Sequence, residues 1–254
     1  MVQLPQNYKL YVRLIDHFVG KSIADIKLYE PHVTRALEEL LKPEMLFLDI
    51  GGNIGFFSML AGALVGPKGR VLAFEPMPAN CELFSQSIAV NGFDHVTLYP
   101  YAAAEKAQTF SLHNVAKSSN SRMVEVTAAD ATPLIIEAVR LDDFLTDLPA
   151  LHVVKMDIEG AEPRAVAGMR GLIQQFKPTI VFEYAPDLIE VTSGSRPVAF
   201  LQEIAAMGYT LHHLPHDFHG SLSQLVPAEA EALHALCDQL HALDHIDILA
   251  VPHQ

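Results

Sequence analysis

The chain has 254 residues, of which 50% are hydrophobic and 19% charged, a balance that fits a packed globular fold and excludes extensive disorder. A formal net charge of -13 argues against nucleic acid as a partner, because phosphate backbones are engaged through clustered Lys and Arg. Two cysteines, Cys81 and Cys237, exclude a disulfide framework or a zinc knuckle, and the longest strongly apolar run, residues 56–65, is shorter than the roughly 20 residues that span a bilayer.

At its start, Met1-Val-Gln-Leu-Pro5 lacks the basic segment and apolar run of a secretory signal, so the expected location is cytoplasmic, without membrane attachment. Apolar residues at helical spacing predict helices over 8–19 and 31–42, with Leu37, Leu40 and Leu41 on one face and Pro43 as the stop. From Met45 onward, short apolar runs alternate with longer amphipathic ones. Strands are predicted at 45–50, 70–75, 95–101, 152–158 and 179–184, and helices at 56–65, 78–91 and 161–176. That alternation implies right-handed crossovers and a parallel sheet covered on both faces. Residues 110–140 interrupt the rhythm with a polar loop at 114–122 and a strand near 135–139, and read as an insertion near the ligand. A helix at 197–207, a strand at 209–214 and a last strand at 246–251 follow, the last preceded by an irregular connection. If it runs antiparallel beside the fifth strand, the sheet has seven strands. No repeat or low-complexity linker is present, and the chain divides into a helical extension over 1–43 and an α/β domain over 44–254. The apolar helices of the extension make a homodimer an option.

The segment Asp49-Ile-Gly-Gly-Asn-Ile-Gly55 places an acid at a strand end, then a glycine turn, then a helix starting at Phe56. Glycine permits unusual torsions and close approach of a ligand, but the spacing is not the G-x-G-x-x-G of dinucleotide folds. Alone, such a turn is also compatible with an ordinary tight turn. Glu75 ends Val71-Leu-Ala-Phe-Glu-Pro76 about 20 positions after the turn, where a carboxylate accepts from both ribose hydroxyls. Its competing role is an acid at the helix start after Pro76. Tyr101 and Ala102, in Tyr99-Pro-Tyr-Ala-Ala103, would border the adenine or simply end a strand.

Lys155, Asp157 and Glu159 alternate along the fourth strand and its exit, so at least the first two project to one side. Beyond the carboxyl end of that strand, Asp157 and Glu159 would face a reacting centre. Three roles are open to Asp157: holding a cofactor amino group, positioning an acceptor, or helping to bind a metal. Glu159 has the alternative of capping the next helix, and Glu183 is a third carboxylate with similar ambiguity. Thirteen histidines, with His212, His213, His216 and His219 close together, raise a metal question. Without a helical His-Glu-x-x-His pattern they read as surface or packed histidines, so no metal ligands are assigned.

In Asp49-Ile-Gly-Gly-Asn-Ile-Gly-Phe-Phe-Ser58, Gly69-Arg-Val-Leu-Ala-Phe-Glu-Pro76, Asn91-Gly92, Arg140-Leu-Asp-Asp-Phe144 and Val154-Lys-Met-Asp-Ile-Glu-Gly-Ala-Glu162, and in the order of these motifs, the chain resembles the FkbM-type methyltransferases. It departs from many of them in having Gly51-Gly52 where Gly-Ala is common. The resemblance implies a Rossmann-like class I fold: a seven-stranded, mostly parallel sheet with one antiparallel strand and helices on both faces, residues 44–254 forming the methyltransferase domain. It implies S-adenosylmethionine as cofactor, with S-adenosylhomocysteine as product, held by Asp49, Gly51, Asn53, Gly55, Phe56, Glu75, Pro76, Tyr101, Ala102 and Asp157. The implied reaction is methyl transfer to a hydroxyl of a small molecule such as a sugar or natural-product intermediate. Asp157, Glu159 and Glu183 are the candidate catalytic residues, and a divalent metal is allowed without being indicated. N-methylation of a small amine and a non-catalytic cofactor-binding domain are the alternatives.

Overall fold

Leu46 to Ile50 are buried along their whole length, as befits a central strand of a parallel sheet covered on both faces. The computed structural model describes residues 1–17, 19–112, 134–239 and 245–253. In chain order its elements are β1 (Val2–Gln3), β2 (Lys9–Leu10), α1 (Gly20–Ile26), α2 (Pro31–Leu40), β3 (Leu46–Ile50), α3 (Phe56–Val65), β4 (Arg70–Phe74), α4 (Pro78–Asn91) and β5 (Val96–Tyr99). Then come the short strands β6 (Ala102–Ala103), β7 (Gln108–Leu112) and β8 (Leu134–Val139), the helix α5 (Leu141–Phe144), β9 (Val153–Met156), α6 (Glu162–Gly168) and α7 (Arg170–Phe176). The last are β10 (Thr179–Tyr184), α8 (Pro186–Ser193), α9 (Pro197–Ala206), β11 (Tyr209–Leu214), α10 (Ala230–Gln239) and β12 (Ile246–Pro252).

The seven-stranded sheet has the order β11-β12-β10-β9-β3-β4-β5. Strands β3, β4, β5, β9 and β10 pair in parallel, whereas β12 runs antiparallel to both β10 and β11. The expected fold class and the antiparallel last strand beside β10 are therefore observed. Alternation within the strands sorts the core into two layers. Leu46, Leu48, Ile50, Leu72, Phe74, Val154 and Met156 pack with residues of α6, α7 and α9, while Phe47, Val71, Ala73, Val153 and Val181 pack with residues of α2, α3 and α4. The second face also receives the charged members of the strands, among them Asp49, Lys155, Glu183 and Asp247. Among the described residues, no helix is long and apolar enough to cross a membrane.

Several elements differ from the sequence-based expectation. Among the described residues of 8–19 there is no such helix: Lys9–Leu10 pairs with Val2–Gln3, and Asn91 Oδ1 accepts from Lys9 N–H while its Nδ2 donates to Lys9 O, both at 2.7 Å. The apolar residues there serve a short ladder, and Leu14 and Ile15 are exposed. The helix expected over 161–176 breaks at Met169, next to Gly168, where a Cβ would lie 2.1 Å from the Ala104 carbonyl oxygen. Helices α8 and α10 were not anticipated, and α10 occupies part of the connection read as irregular before β12. The strand near 135–139 is β8, in a separate three-stranded sheet with β6 and β7. The polar loop at 114–122, including Ser118-Ser-Asn-Ser121, lies outside the described residues.

Candidate active site

The strand order reverses beside β3, with β4 and β5 on one side and β9 and β10 on the other, and open sheets of this kind take ligands beyond the strand ends at that point. A cleft of about 950 Å³, counting space open to solvent, lies there. Its base is the turn after β3. Gly51 and Gly52 N–H donate to the Phe74 carbonyl at 2.9 and 3.1 Å, and Asp157 N–H donates to the Ile50 carbonyl at 3.1 Å. The turn is thus fastened to the ends of β4 and β9. Gly51 has φ of +84°, and a Cβ there would lie 2.0 Å from the Asp157 carbonyl oxygen. Gly51→Ala is therefore expected to destabilise the fold by about 1–3 kcal/mol or more, read as a lower urea midpoint; an unchanged midpoint would show that the turn relaxes freely.

One end of the cleft is lined by Phe74, Glu75, Met77, Tyr101, Ala102 and Ile136. Glu75 is buried; its Oε2 accepts from Asn53 N–H at 2.9 Å, and its Oε1 from Met77 N–H at 2.9 Å and Asn80 Nδ2 at 3.3 Å. It therefore also serves the start of α4, the role that competed in the sequence. Burial raises its pKa to about 7 against the pull of these three bonds. The Tyr101 ring packs edge-on against Phe144, 5.6 Å away. An apolar, aromatic wall ending in a carboxylate matches an adenine carrying a ribose. Asn53 Oδ1, buried without a hydrogen-bond partner in the protein, is a further acceptor on this turn. On these grounds the residues present fit an adenosyl cofactor.

The other end is lined by Tyr29, Glu30, Asp157, Glu159, Glu183 and His245. Lys155 Nζ lies 2.9 Å from Asp157 Oδ2 and 4.6 Å from the Phe57 ring centroid, so Lys155 and Asp157 do share a side. Burial alone would lower the Lys155 pKa, but the Asp157, Glu30 and Asp49 carboxylates outweigh it and raise it above its ordinary value. Burial, then the charges of Asp157, Glu162, Glu159 and Asp247, pushes the Glu183 carboxyl well upward. Burial and Asp157 likewise raise Glu30. Glu159 has a positive φ of 56°, while the carboxylate serving the backbone before α6 is that of Glu162, which accepts from Ile158 N–H at 2.8 Å.

Of the residues nominated from sequence, Gly51, Asn53, Glu75, Pro76, Tyr101, Ala102, Asp157, Glu159 and Glu183 line this one cleft. Asp49, Gly55 and Phe56 stand behind it. Asp49 is wholly buried and its Oδ2 accepts from Ser58 Oγ at 2.5 Å, tying the strand end to α3. Gly55 starts α3 in the left-handed conformation, and Phe56 packs edge-on against Tyr29 at 5.7 Å. Tyr29, Glu30 and His245 were not anticipated in the wall; nothing local marks them, because folding alone brings these segments to the strand ends.

Glu75 and Glu162, whose carboxyl burial also raises it to about 7, set a pH dependence. Each folded-state pKa exceeds the unfolded value, so the folded chain binds more protons between the two. Their contribution to stability is fully present below about pH 4.5 and is lost as the pH rises through about 7. Urea unfolding of the ligand-free chain should show stability falling across that window, and Glu75→Gln should flatten the slope; an identical slope in the variant would contradict the assignment.

The reversed strand order, the antiparallel β12 and the acid at the end of β4 beside the glycine turn define the S-adenosylmethionine-dependent methyltransferase fold. Within it, the model of the methyltransferase FkbM domain matches residues 49–211, and the chain belongs to that family. It is 24% identical over 193 residues to "Methyltransferase 1" of Beauveria bassiana (strain ARSEF 2860), the match covering 66% of this chain and 74% of that one. Among solved structures, it is similar to precorrin-6y C5,15-methyltransferase from Geobacter metallireducens GS-15, at 15% identity and a TM-score of 0.50, over 91% of this chain and 93% of that one. It is also similar to methyltransferase FkbM from Methylobacillus flagellatus KT, at 18% identity and a TM-score of 0.47, over 72% of this chain and 47% of that one. The chain thus spans about half the length of the latter protein.

Proposed function

We propose that this chain transfers the methyl group of S-adenosylmethionine to a hydroxyl of a small molecule, such as a sugar or a natural-product intermediate. The observation that carries the reading is the junction at Asp157: one cleft joins an apolar wall ending in Glu75 to a wall of carboxylates, and Asp157 stands between them on the backbone of the glycine turn. S-adenosylmethionine, when bound, supplies a methyl group on a sulfonium as the electrophile. The chain's own part is to hold an acceptor oxygen in line and to receive its proton, and fixed geometry contributes much of such an acceleration. Glu30, Glu159 and Glu183 accept from neighbouring hydroxyls of a polyol or donate to them where they hold a proton. A chain of net charge -13 favours a small acceptor over nucleic acid, and a cytoplasmic location belongs to the same reading.

The number of carboxylates in the acceptor wall favours a second reading, methylation of an amine whose bound form is cationic. Incubation of the purified chain with isotopically labelled donor and matched sets of polyol and amine acceptors, with product detection by mass spectrometry, separates the two. O-methylated product is the expected result; labelled amine alone would select the second reading, and binding of the donor without turnover of either set would indicate a cofactor-binding domain.

A further inference from the structure

We propose that His32, His216 and Asp247 form a binding site for a divalent transition-metal ion, behind the carboxylate wall of the cleft. Each offers one ligand atom, and the three atoms lie within 4.8 Å of one another. His32 is in the first turn of α2, His216 follows β11, and Asp247 is on β12, so three segments distant in sequence converge here. His32 and Asp247 are buried, and the His32 and His216 rings stack with centroids 4.5 Å apart.

The polar groups of this cluster are incompletely matched. Both imidazoles aim Nε2 at the same oxygen, Asp247 Oδ2, from 2.7 and 3.5 Å. His216 Nε2 is buried and, at 3.5 Å, meets Asp247 Oδ2 in a long contact rather than a well-formed hydrogen bond. His32 Nδ1 is buried and makes no hydrogen bond. One carboxylate oxygen therefore faces two nitrogens and bonds closely to only one of them. A cation at the centre gives both Nε2 lone pairs a partner and keeps the carboxylate as its counter-charge. Tetrahedral zinc, bonded at about 2.0–2.1 Å, sets its ligand atoms about 3.3 Å apart, and the two observed separations bracket that value. Two imidazoles with one carboxylate select ions of the zinc, cobalt and nickel type, whereas magnesium and calcium prefer oxygen alone.

None of the three ligands lines the cleft, yet each is close to a residue that does. Glu30 is two residues before His32, His245 two before Asp247, and Glu183 is the cross-strand partner of Asp247. An ion here would clamp the segment leading into α2 to the last strand and hold this side of the acceptor wall in place.

The test uses the full chain stripped with EDTA and dialysed, with neither donor nor acceptor present, so its outcome is independent of the methyl-transfer reading. Titration with Co²⁺ should give one bound ion per chain with the visible absorption of a coordinated site, displaced by Zn²⁺, and Zn²⁺ should raise the thermal midpoint reversibly. Loss of partners outside the ligand shell commonly costs about 10–100-fold in affinity, so removing a ligand in His216→Ala should weaken binding by about 100-fold or more. The exposed His219 serves as control, and His219→Ala should bind like wild type. Absence of both the cobalt absorption and the zinc-dependent rise in midpoint would overturn the site. Equal cobalt affinity in wild type and His216→Ala would do so as well, by assigning the ion to other histidines.

Discussion

Replacing Glu75 by alanine is expected to weaken binding of S-adenosylmethionine and of S-adenosylhomocysteine by about ten- to 150-fold, the equivalent of one charge-assisted hydrogen bond of about 1.5–3 kcal/mol. The carboxylate is already held from behind by Asn53 N–H, Met77 N–H and Asn80 Nδ2, which fixes its rotamer. These bonds use three of the four lone-pair sites and leave one, on Oε2, for a ligand in the cleft that Glu75 lines. Because burial raises this group to about 7, the ionised form that accepts from ribose hydroxyls becomes dominant only above that pH. Affinity of the wild-type chain should accordingly rise as the pH is taken from about 6 to about 8. Glu75→Gln keeps an oxygen acceptor and should lie between wild type and Glu75→Ala, without that rise. Calorimetry measures all three proteins, and an unchanged affinity in Glu75→Ala would reject the ribose contact.

The Glu75 end of the cleft, proposed for the cofactor, was legible in the sequence because it is assembled from the ends of successive strands. Gly51, Asn53, Glu75 and Tyr101 follow β3, β4 and β5, so recognising the alternation of strands and helices also locates these residues. The same periodicity located α3, α4, β10 and β11. The carboxylate end, proposed for the acceptor, was legible only in its strand-borne half, Asp157, Glu159 and Glu183. Tyr29 and Glu30 come from the connection between two N-terminal helices and His245 from the start of the last strand, and no spacing rule relates segments so far apart. His32 and Asp247, 215 positions apart, are invisible to any local pattern. Other motif residues belong to the scaffold: Asp142 pairs with Arg140 at 2.6 Å and accepts from Gly171 and Leu172 N–H at 3.1 and 3.0 Å, joining α5 to α7. Asp49 illustrates the remaining ambiguity. A strand-end acid reads equally as a ligand contact or a brace, and its hydrogen bond to Ser58 was not readable before α3 was seen packed on β3.

Asp157→Asn is expected to lower turnover by about 10²- to 10⁴-fold at saturating donor and acceptor, the range a positioned base contributes. The substitution is nearly isosteric, and its amide oxygen can still accept from Lys155 Nζ, now 2.9 Å from the carboxylate. Removing the Asp157 charge also removes one of the causes that raise Glu30, so that Glu30 and Asp49 supply the counter-charge to the buried ammonium. Thermal unfolding should therefore show a folded variant, and the loss should lie in kcat. Glu183→Gln provides the comparison. Burial and the surrounding carboxylates push Glu183 well upward, which favours its protonated form and suits it to donate a hydrogen bond rather than to receive the acceptor's proton. Its amide replacement also donates, and turnover should fall much less than in Asp157→Asn. A near-normal rate in Asp157→Asn would exclude Asp157 as the base, and a deficit in Glu183→Gln as deep as that in Asp157→Asn would reverse the assignment. If the deficit of Asp157→Asn is present only at sub-saturating donor and vanishes at saturation, the carboxylate belongs to cofactor binding instead.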